Sequence, residues 1–173
     1  MKKKLPFIII GAVLLQVLLV VACVLIIRHT VGSFSNENVV KYEELTLTLP
    51  KDYVKSHVFD LDFTYTNGTF VVSGKRYTEA DFMGIGTNIE SKEHLAKFIM
   101  DINPSFTFSE ISEKDDYVYF SYTGIVNNVS HSKMAAAFEH NGNFYCITME
   151  CHTSSEHLLE DAFFEILDTV EFE

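Results

Sequence analysis

The sequence predicts an α+β domain: an antiparallel β-sheet of six to seven strands with helices packed on it, preceded by one transmembrane helix. Three observations predict this. An almost unbroken apolar run opens the chain. Short segments of alternating apolar and polar residues follow, two pairs of them joined by Asn-Gly. Two later segments carry apolar residues at helical spacing.

The run extends from Leu5 to Ile27, broken only by Gln16. As a helix it is about 34 Å long at ~1.5 Å per residue, and a hydrocarbon core is ~30 Å thick. Backbone polar groups find no water in lipid, so the segment must be helical. Pro6 falls in the first turn, where a missing N–H costs little. Lys2, Lys3 and Lys4 precede the run and only Arg28 and His29 closely follow it. The positive-inside bias therefore keeps the N-terminus cytoplasmic and places the rest outside. Residues 1–28 read as cytoplasmic tip and anchor. Residues 29–42, with Thr30, Gly32, Ser33, Ser35, Asn36 and Asn38 and few apolar residues, read as a tether. Residues 43–173 are the extracytoplasmic domain.

Two rival readings of the run differ in processing. A cleaved signal peptide has a shorter apolar region and a small-residue cleavage site. Val20-Val21-Ala22-Cys23 resembles a bacterial lipobox, in which Cys23 is acylated after cleavage. Against it, Val24-Leu25-Ile26-Ile27 follow where such proteins turn polar. The plain alternative is a free Cys in a transmembrane helix.

The chain carries 15 Phe, 8 Tyr and no Trp, with a net charge of −11. Without Lys2, Lys3, Lys4 and Arg28, nine basic residues face all 24 acidic ones, a net charge of −15. That excludes nucleic acid as a partner and disfavours adhesion to anionic lipid. Solubility beside a negatively charged surface explains it.

Leu45-Thr46-Leu47-Thr48-Leu49-Pro50 alternates strictly and stops at Pro, the pattern of a half-buried strand. Asn67-Gly68 joins two further strands in a type I′ turn. The implied pairs are Tyr65–Phe70, Phe63–Val72, Leu61–Gly74 and Asp60–Lys75. One face then collects Phe59, Leu61, Phe63, Tyr65, Phe70 and Val72, and the other is polar. Ser91 is the expected N-cap of a helix with Leu95, Phe98, Ile99 and Ile102 on one stripe, ended by Pro104. A strand over 106–111 turns through residues 113–116 into Tyr117–Val126. Lys133–His140 pairs with Phe144–Cys151 through Asn141-Gly142. Phe138, Tyr145, Ile147 and Met149 share its core face, and Lys133 faces Glu150. Ala135, Ala137, Cys146 and Thr148 form an opposite face small enough to take a helix. Thr153-Ser154-Ser155-Glu156 is a capping box. It opens a helix with Leu158, Leu159, Ala162, Phe163, Ile166 and Leu167 on one side. Residues 170–172 add a short strand.

This order resembles the PsbP-like superfamily, whose fold also occurs in the Ran-binding import factor Mog. The residues that carry the resemblance are Leu47-Thr48-Leu49-Pro50 with Tyr53, then Ser91, Glu93 and Leu95. Residues 142–151 and the final helix with Ile166-Leu167-Asp168-Thr169-Val170 complete it. Thr169 stands where relatives often have Ser. The resemblance covers residues 42–173 and implies a noncatalytic accessory or binding module. The photosystem and Ran functions of known members do not transfer, because no residue here matches a binding motif.

Few residues point to chemistry. Cys146 and Cys151 are five apart, so on one strand they face opposite ways, about 17 Å apart at ~3.4 Å per residue. No disulfide forms at that distance. His131 and His152 face each other across the hairpin, with Glu156 and His157 close in sequence. Such a group suits zinc, or a pH-sensitive His pair; exposed His at a hairpin end is the plain reading. Asp60, Asp62, Asp115 and Asp116 read as solvated carboxylates. Gly84-Ile85-Gly86 lacks the strand and third Gly of a dinucleotide loop. Ser132 beside His131 is no triad, since strand neighbours point to opposite faces. Asn67-Gly68-Thr69 and Asn128-Val129-Ser130 match the glycosylation pattern, which is incidental in a bacterial cell. No cofactor is implied. The expected function is a membrane-anchored, noncatalytic module with an envelope or membrane protein as partner. The alternatives are the Cys23 lipoprotein and an envelope metal-dependent enzyme using His131 and His152. A third role is that of a subunit held to its complex through Gln16.

Overall fold

The computed structural model describes residues 37–83 and 88–173. The expected anchor, with Gln16 and Cys23, and Gly84-Ile85-Gly86 lie outside the described residues. Among the described residues no helix is long and apolar enough to cross a membrane.

The strands are β1 (Glu37–Tyr42), β2 (Leu45–Pro50), β3 (Val54–Ser56), β4 (Phe63–Thr66), β5 (Phe70–Tyr77), β6 (Thr107–Phe108), β7 (Ser112–Lys114), β8 (Tyr117–Val126), β9 (Val129–His140), β10 (Asn143–His152) and β11 (Glu171–Phe172). The helices are α1 (Glu79–Met83), α2 (Lys92–Asp101) and α3 (Leu159–Leu167), with a 3-10 turn over Thr153–Leu158 before α3. β3-β4-β5-β10-β9-β8-β6 form the large antiparallel sheet, with β7 also on β8; β1-β2-β11 form a small one. The compact unit begins at Glu37. The last six residues of the expected tether are therefore a strand, pairing Glu37 with Pro50 through Tyr42 with Leu45. Val40 is buried there, an apolar anchor point that the surrounding polar residues disguise.

Two apolar layers flank the large sheet. On one face Phe63, Val72, Met134, Ala136, Phe138, Tyr145, Ile147 and Met149 pack with Leu45, Leu47 and Leu49 of β2 and with Leu159, Phe163, Ile166 and Leu167 of α3. Each Val, Leu, Ile, Phe or Met among them contributes ~1.5–3 kcal/mol on full burial. On the other face Ala135, Ala137 and Cys146 receive Leu95, Ala96, Phe98 and Ile99 of α2. The small residues admit the helix as their sizes require. Ser91 caps it, its Oγ accepting from the His94 N–H at 3.3 Å. Ile102, expected on the stripe, is the C-cap and half exposed, because the helix stops before its side chain reaches the sheet.

The β9–β10 register is as expected, with Tyr145 opposite Phe138 and Glu150 opposite Lys133. Asn141 (φ 50°) and Gly142 (φ 75°) form the type I′ turn. The β4–β5 register is not. Tyr65 pairs with Val72 and Phe63 with Gly74, a slip of two residues. Only Gly68 has positive φ in this turn, so the central residues are Gly68-Thr69, a II′ arrangement with Gly first. Asn67 Oδ1 fixes it by accepting the Phe70 N–H at 2.8 Å. A two-residue slip leaves every side chain on its face, so alternation is blind to it. Gly74 is required opposite Phe63: a Cβ there would meet the ring at 2.2 Å. Phe59 is 92% exposed rather than core, since the chain turns at Asp60 (φ 69°) before β4 begins.

Of the expected 106–111 strand only Thr107–Phe108 pairs, as β6, and the start of the expected 113–116 turn is instead strand β7; both lie on β8. β9 starts at Val129, four residues earlier than expected, because Asn127 (φ 51°) and Asn128 (φ 66°) make another tight turn. The last helix starts late. His152, not Thr153, caps the 3-10 turn, and Leu158 is half exposed.

Candidate functional site

A cleft of about 210 Å³ opens where α3 and its 3-10 lead-in leave the sheet. Strand alternation builds it. On the α3 side, odd positions of β8 run Tyr117, Tyr119, Ser121, Thr123, changing from aromatic to small hydroxyl. Even positions of β9 supply Met134 and Ser132 beside them. The first turn of α3 adds Glu160, and the 3-10 turn adds Glu156. Ser109 extends the wall: its N–H donates to Ser121 O at 2.9 Å, and its Oγ accepts the Ser121 N–H at 2.9 Å. Ser132 is 2% exposed and its Oγ has no hydrogen-bond partner. A buried hydroxyl without a partner is costly; this one lies beneath the cleft wall, out of reach of solvent. The cleft thus offers hydroxyls, the carboxylates of Glu156 and Glu160 and the ammonium of Lys133, and among the described residues no His or Cys lines it. It can bind a polar group that donates hydrogen bonds. Among the described residues none of its hydroxyls is hydrogen-bonded to a basic side chain.

The predicted histidine group is divided. His131 and His152 do pair across the sheet, with ring centroids 6.3 Å apart. They alternate to the α2 face, with Lys133 and Glu150. Glu156 is on the other side, in the cleft with Ser132. His157 sits exposed in the 3-10 turn. Among the described residues no group of three or more His, Cys, Asp or Glu stands close enough to hold a metal ion. His152 Nδ1 lies 3.1 Å from Ser154 Oγ and accepts the Ser154 N–H at 3.4 Å. The contact is a helix cap on the exposed surface.

Cys146 and Cys151 are free and buried. They lie in the apolar layers on opposite faces, Cys146 under α2 and Cys151 toward α3. Burial pushes the Cys146 thiol up to about 11 and raises Cys151 as well. Neither is an activated thiolate.

Lys75 and Arg76, consecutive on β5 and so on opposite faces, are each ion-paired. Lys75 Nζ bridges Asp60 at 2.8 Å and Asp81 at 3.3 Å. Arg76 pairs with Glu43 and donates to Asn143 Oδ1 at 2.7 Å. Its N–H donates to Asp62 Oδ2 at 2.6 Å. Burial and the neighbouring Asp62 push the Tyr42 phenol up to about 12. Both cations are already paired, so the cluster ties β1 and α1 to the sheet.

Sequence reasoning missed Tyr119, Ser121, Thr123, Ser109 and Glu160. The signal was the break in the β8 core face, where aromatics give way to hydroxyls.

No protein-family model and no curated protein matches the sequence. Solved structures do match in shape. Cyanobacterial PsbP (CyanoP) from Synechocystis is 11% identical with a TM-score of 0.53, covering 82% of this chain and 96% of that one. A protein of Bacteroides thetaiotaomicron is 8% identical with a TM-score of 0.54, covering 80% of this chain and 49% of that one. LpqN of Mycobacterium tuberculosis, involved in cell envelope biogenesis, is 12% identical over 78% of this chain and 89% of that one, at a TM-score of 0.47. At these identities the likeness is one of fold alone: the domain is PsbP-like in fold.

Proposed function

We propose that the chain is a single-pass membrane protein that displays a noncatalytic binding module on the non-cytoplasmic side. The apolar run behind Lys2, Lys3 and Lys4 supports the anchor and its orientation. The observation that carries the binding role is the cleft lined by the hydroxyl residues Ser109, Ser121 and Thr123. Glu156 and Glu160 at its rim favour a guest with donor groups, a polyol or an amine, presented by an envelope polymer or a partner protein. The lipoprotein alternative, acylated at Cys23, leaves the domain on the same side of the same membrane. Intact mass separates the two, since processing removes the first 22 residues and adds lipid.

The test is the set of molecules that co-purify with the full-length chain from its native membrane. Ser121 is exposed at the cleft mouth, so Ser121→Trp fills the cleft without entering the core. The bound component should be lost while the fold persists. A component retained by Ser121→Trp would move the site elsewhere. A turnover abolished by His152→Ala or Ser154→Ala would make the protein an enzyme and end the proposal.

A further inference from the structure

The β8–β9 hairpin runs on past the rest of the sheet. β10 ends at His152 opposite His131, yet β8 and β9 continue through Ile125–Ser130 and Val126–Val129 to the Asn127-Asn128 turn. The overhang adds ~10 Å at ~3.4 Å per residue. Ile125 is 73% exposed, Val126 38% and Val129 37%. Alternation puts Ile125 on the α3 face and the two valines on the α2 face, so the tip is apolar on both sides. It is also free of charge. Tyr117 through Ser132 contains no Asp, Glu, Lys or Arg, in a chain of net charge −11. One exposed apolar residue is ordinary; three on a protruding, uncharged tip mark a contact surface.

β1 starts at the same end of the sheet. Glu37 starts β1 opposite Pro50, and Asn38 Nδ2 donates to Tyr53 O at 2.8 Å. Asn67, at the β4–β5 turn, donates to Asp52 Oδ2 at 3.1 Å. Phe70, beside that turn, pairs with Cys151, and Cys151 with Ser132. Glu37 and the β8–β9 tip therefore share one end, and Asn141-Gly142 marks the other. Residues 28–36 separate the apolar run from Glu37 and reach at most ~30 Å.

We infer that the β8–β9 tip docks in the lipid–water interface of the anchoring membrane, inserting Ile125, Val126 and Val129. This rests on the single-pass reading, which puts lipid within reach of that end. Three side chains are too few to hold a free domain. A tether makes the contact intramolecular, at an effective concentration near millimolar. Insertion is shallow, because the peptide groups of the turn need water or headgroups as partners. The contact fixes which way the domain faces above the bilayer.

The chain has no Trp, so Ile125→Trp is a sole reporter. The full-length variant is reconstituted into phosphatidylcholine vesicles with and without brominated acyl chains. Ile125→Trp should be quenched about twofold and blue-shifted. Asp116→Trp, at the far end beside the β7–β8 turn, should be unaffected. Adding Val129→Asp to Ile125→Trp should abolish the quenching. Equal quenching at both positions, none at either, or quenching that survives Val129→Asp would overturn the inference. These outcomes are read on chains that resist alkaline extraction. Release from the vesicles at alkaline pH overturns the single-pass reading, and this inference with it.

Discussion

Removing one hydroxyl at Thr169 should loosen the junction between α3 and the small sheet. Thr169 Oγ1 accepts the Thr48 N–H at 2.9 Å and donates to Ile166 O at 2.7 Å. β11 pairs with β2 only at Leu45 and Thr46, so at Thr48 the side chain stands in for a strand. Thr169→Val keeps the shape and deletes both bonds. A hydrogen bond is worth ~0.5–1.5 kcal/mol net, and an orphaned buried donor costs ~1–3 kcal/mol. The site is partly buried, so water recovers some of this, and about 2 kcal/mol is expected overall. For a domain of this size ~1 kcal/mol moves Tm by ~3–5 °C, so Thr169→Val should melt ~6–10 °C lower. Thr169→Ser keeps the hydroxyl and should lose under ~1 kcal/mol. Thermal unfolding followed by near-UV circular dichroism reads both. A Thr169→Val variant that melts with the parent refutes the reasoning, as does a Ser variant that falls as far as Val.

Three further outcomes are expected. Burial holds the Cys146 proton to about 11 in the folded state, against 9.0 for an unperturbed thiol. The unfolded state therefore binds fewer protons above pH 9, and stability falls as pH rises from there, at up to ~1.4 kcal/mol per unit. Urea unfolding at pH 8 and 10 should show a smaller loss in Cys146→Ala; an identical loss counts against burial as the cause. Gly74→Ala should destabilise by ~1–3 kcal/mol, because its Cβ would meet the Phe63 ring at 2.2 Å. Phe63→Leu should relieve part of that in a double-mutant cycle, and strict additivity would deny the clash. Ser91→Ala should cost ~1 kcal/mol by uncapping α2. The bond from Ser91 also holds Glu93 below the usual carboxylate range. Glu93 therefore adds stability at neutral pH that is lost as pH falls through its lowered value, and Ser91→Ala should reduce that acid dependence. An acid limb unchanged in the variant would separate the two residues.

What the sequence shows well is whatever alternation and turn chemistry dictate locally. The β9–β10 hairpin follows to the residue from Asn141-Gly142 and the apolar alternation around it. The Ala135–Ala137 face correctly announces a helix on that side, and α2 occupies it. Where two solutions share a face pattern, local signals fail. Asn67-Gly68 accepts either a I′ or a II′ placement, and the two differ by a slip that leaves the faces unchanged. The small sheet was hidden because β1 has one buried apolar residue, Val40, and its third strand, β11, comes from the other end of the domain sequence. The cleft was illegible for a different reason. Ser109, Ser121, Ser132 and Glu160 are distant in sequence, and only the packing of α3 against β8 and β9 brings them together. The histidines show the converse: His152 and Glu156 are neighbours in sequence, yet among the described residues they join no group able to hold a metal ion.

The central claim is a binding module held outside the cytoplasm by an N-terminal anchor. Protease added to intact spheroplasts tests it most directly, with a C-terminal epitope and a cytoplasmic marker followed together. The account predicts that the epitope is digested while the marker survives, and that the undigested chain sediments with membranes after alkaline extraction. An epitope protected until the spheroplasts are lysed, or a chain recovered in the soluble fraction, would contradict it.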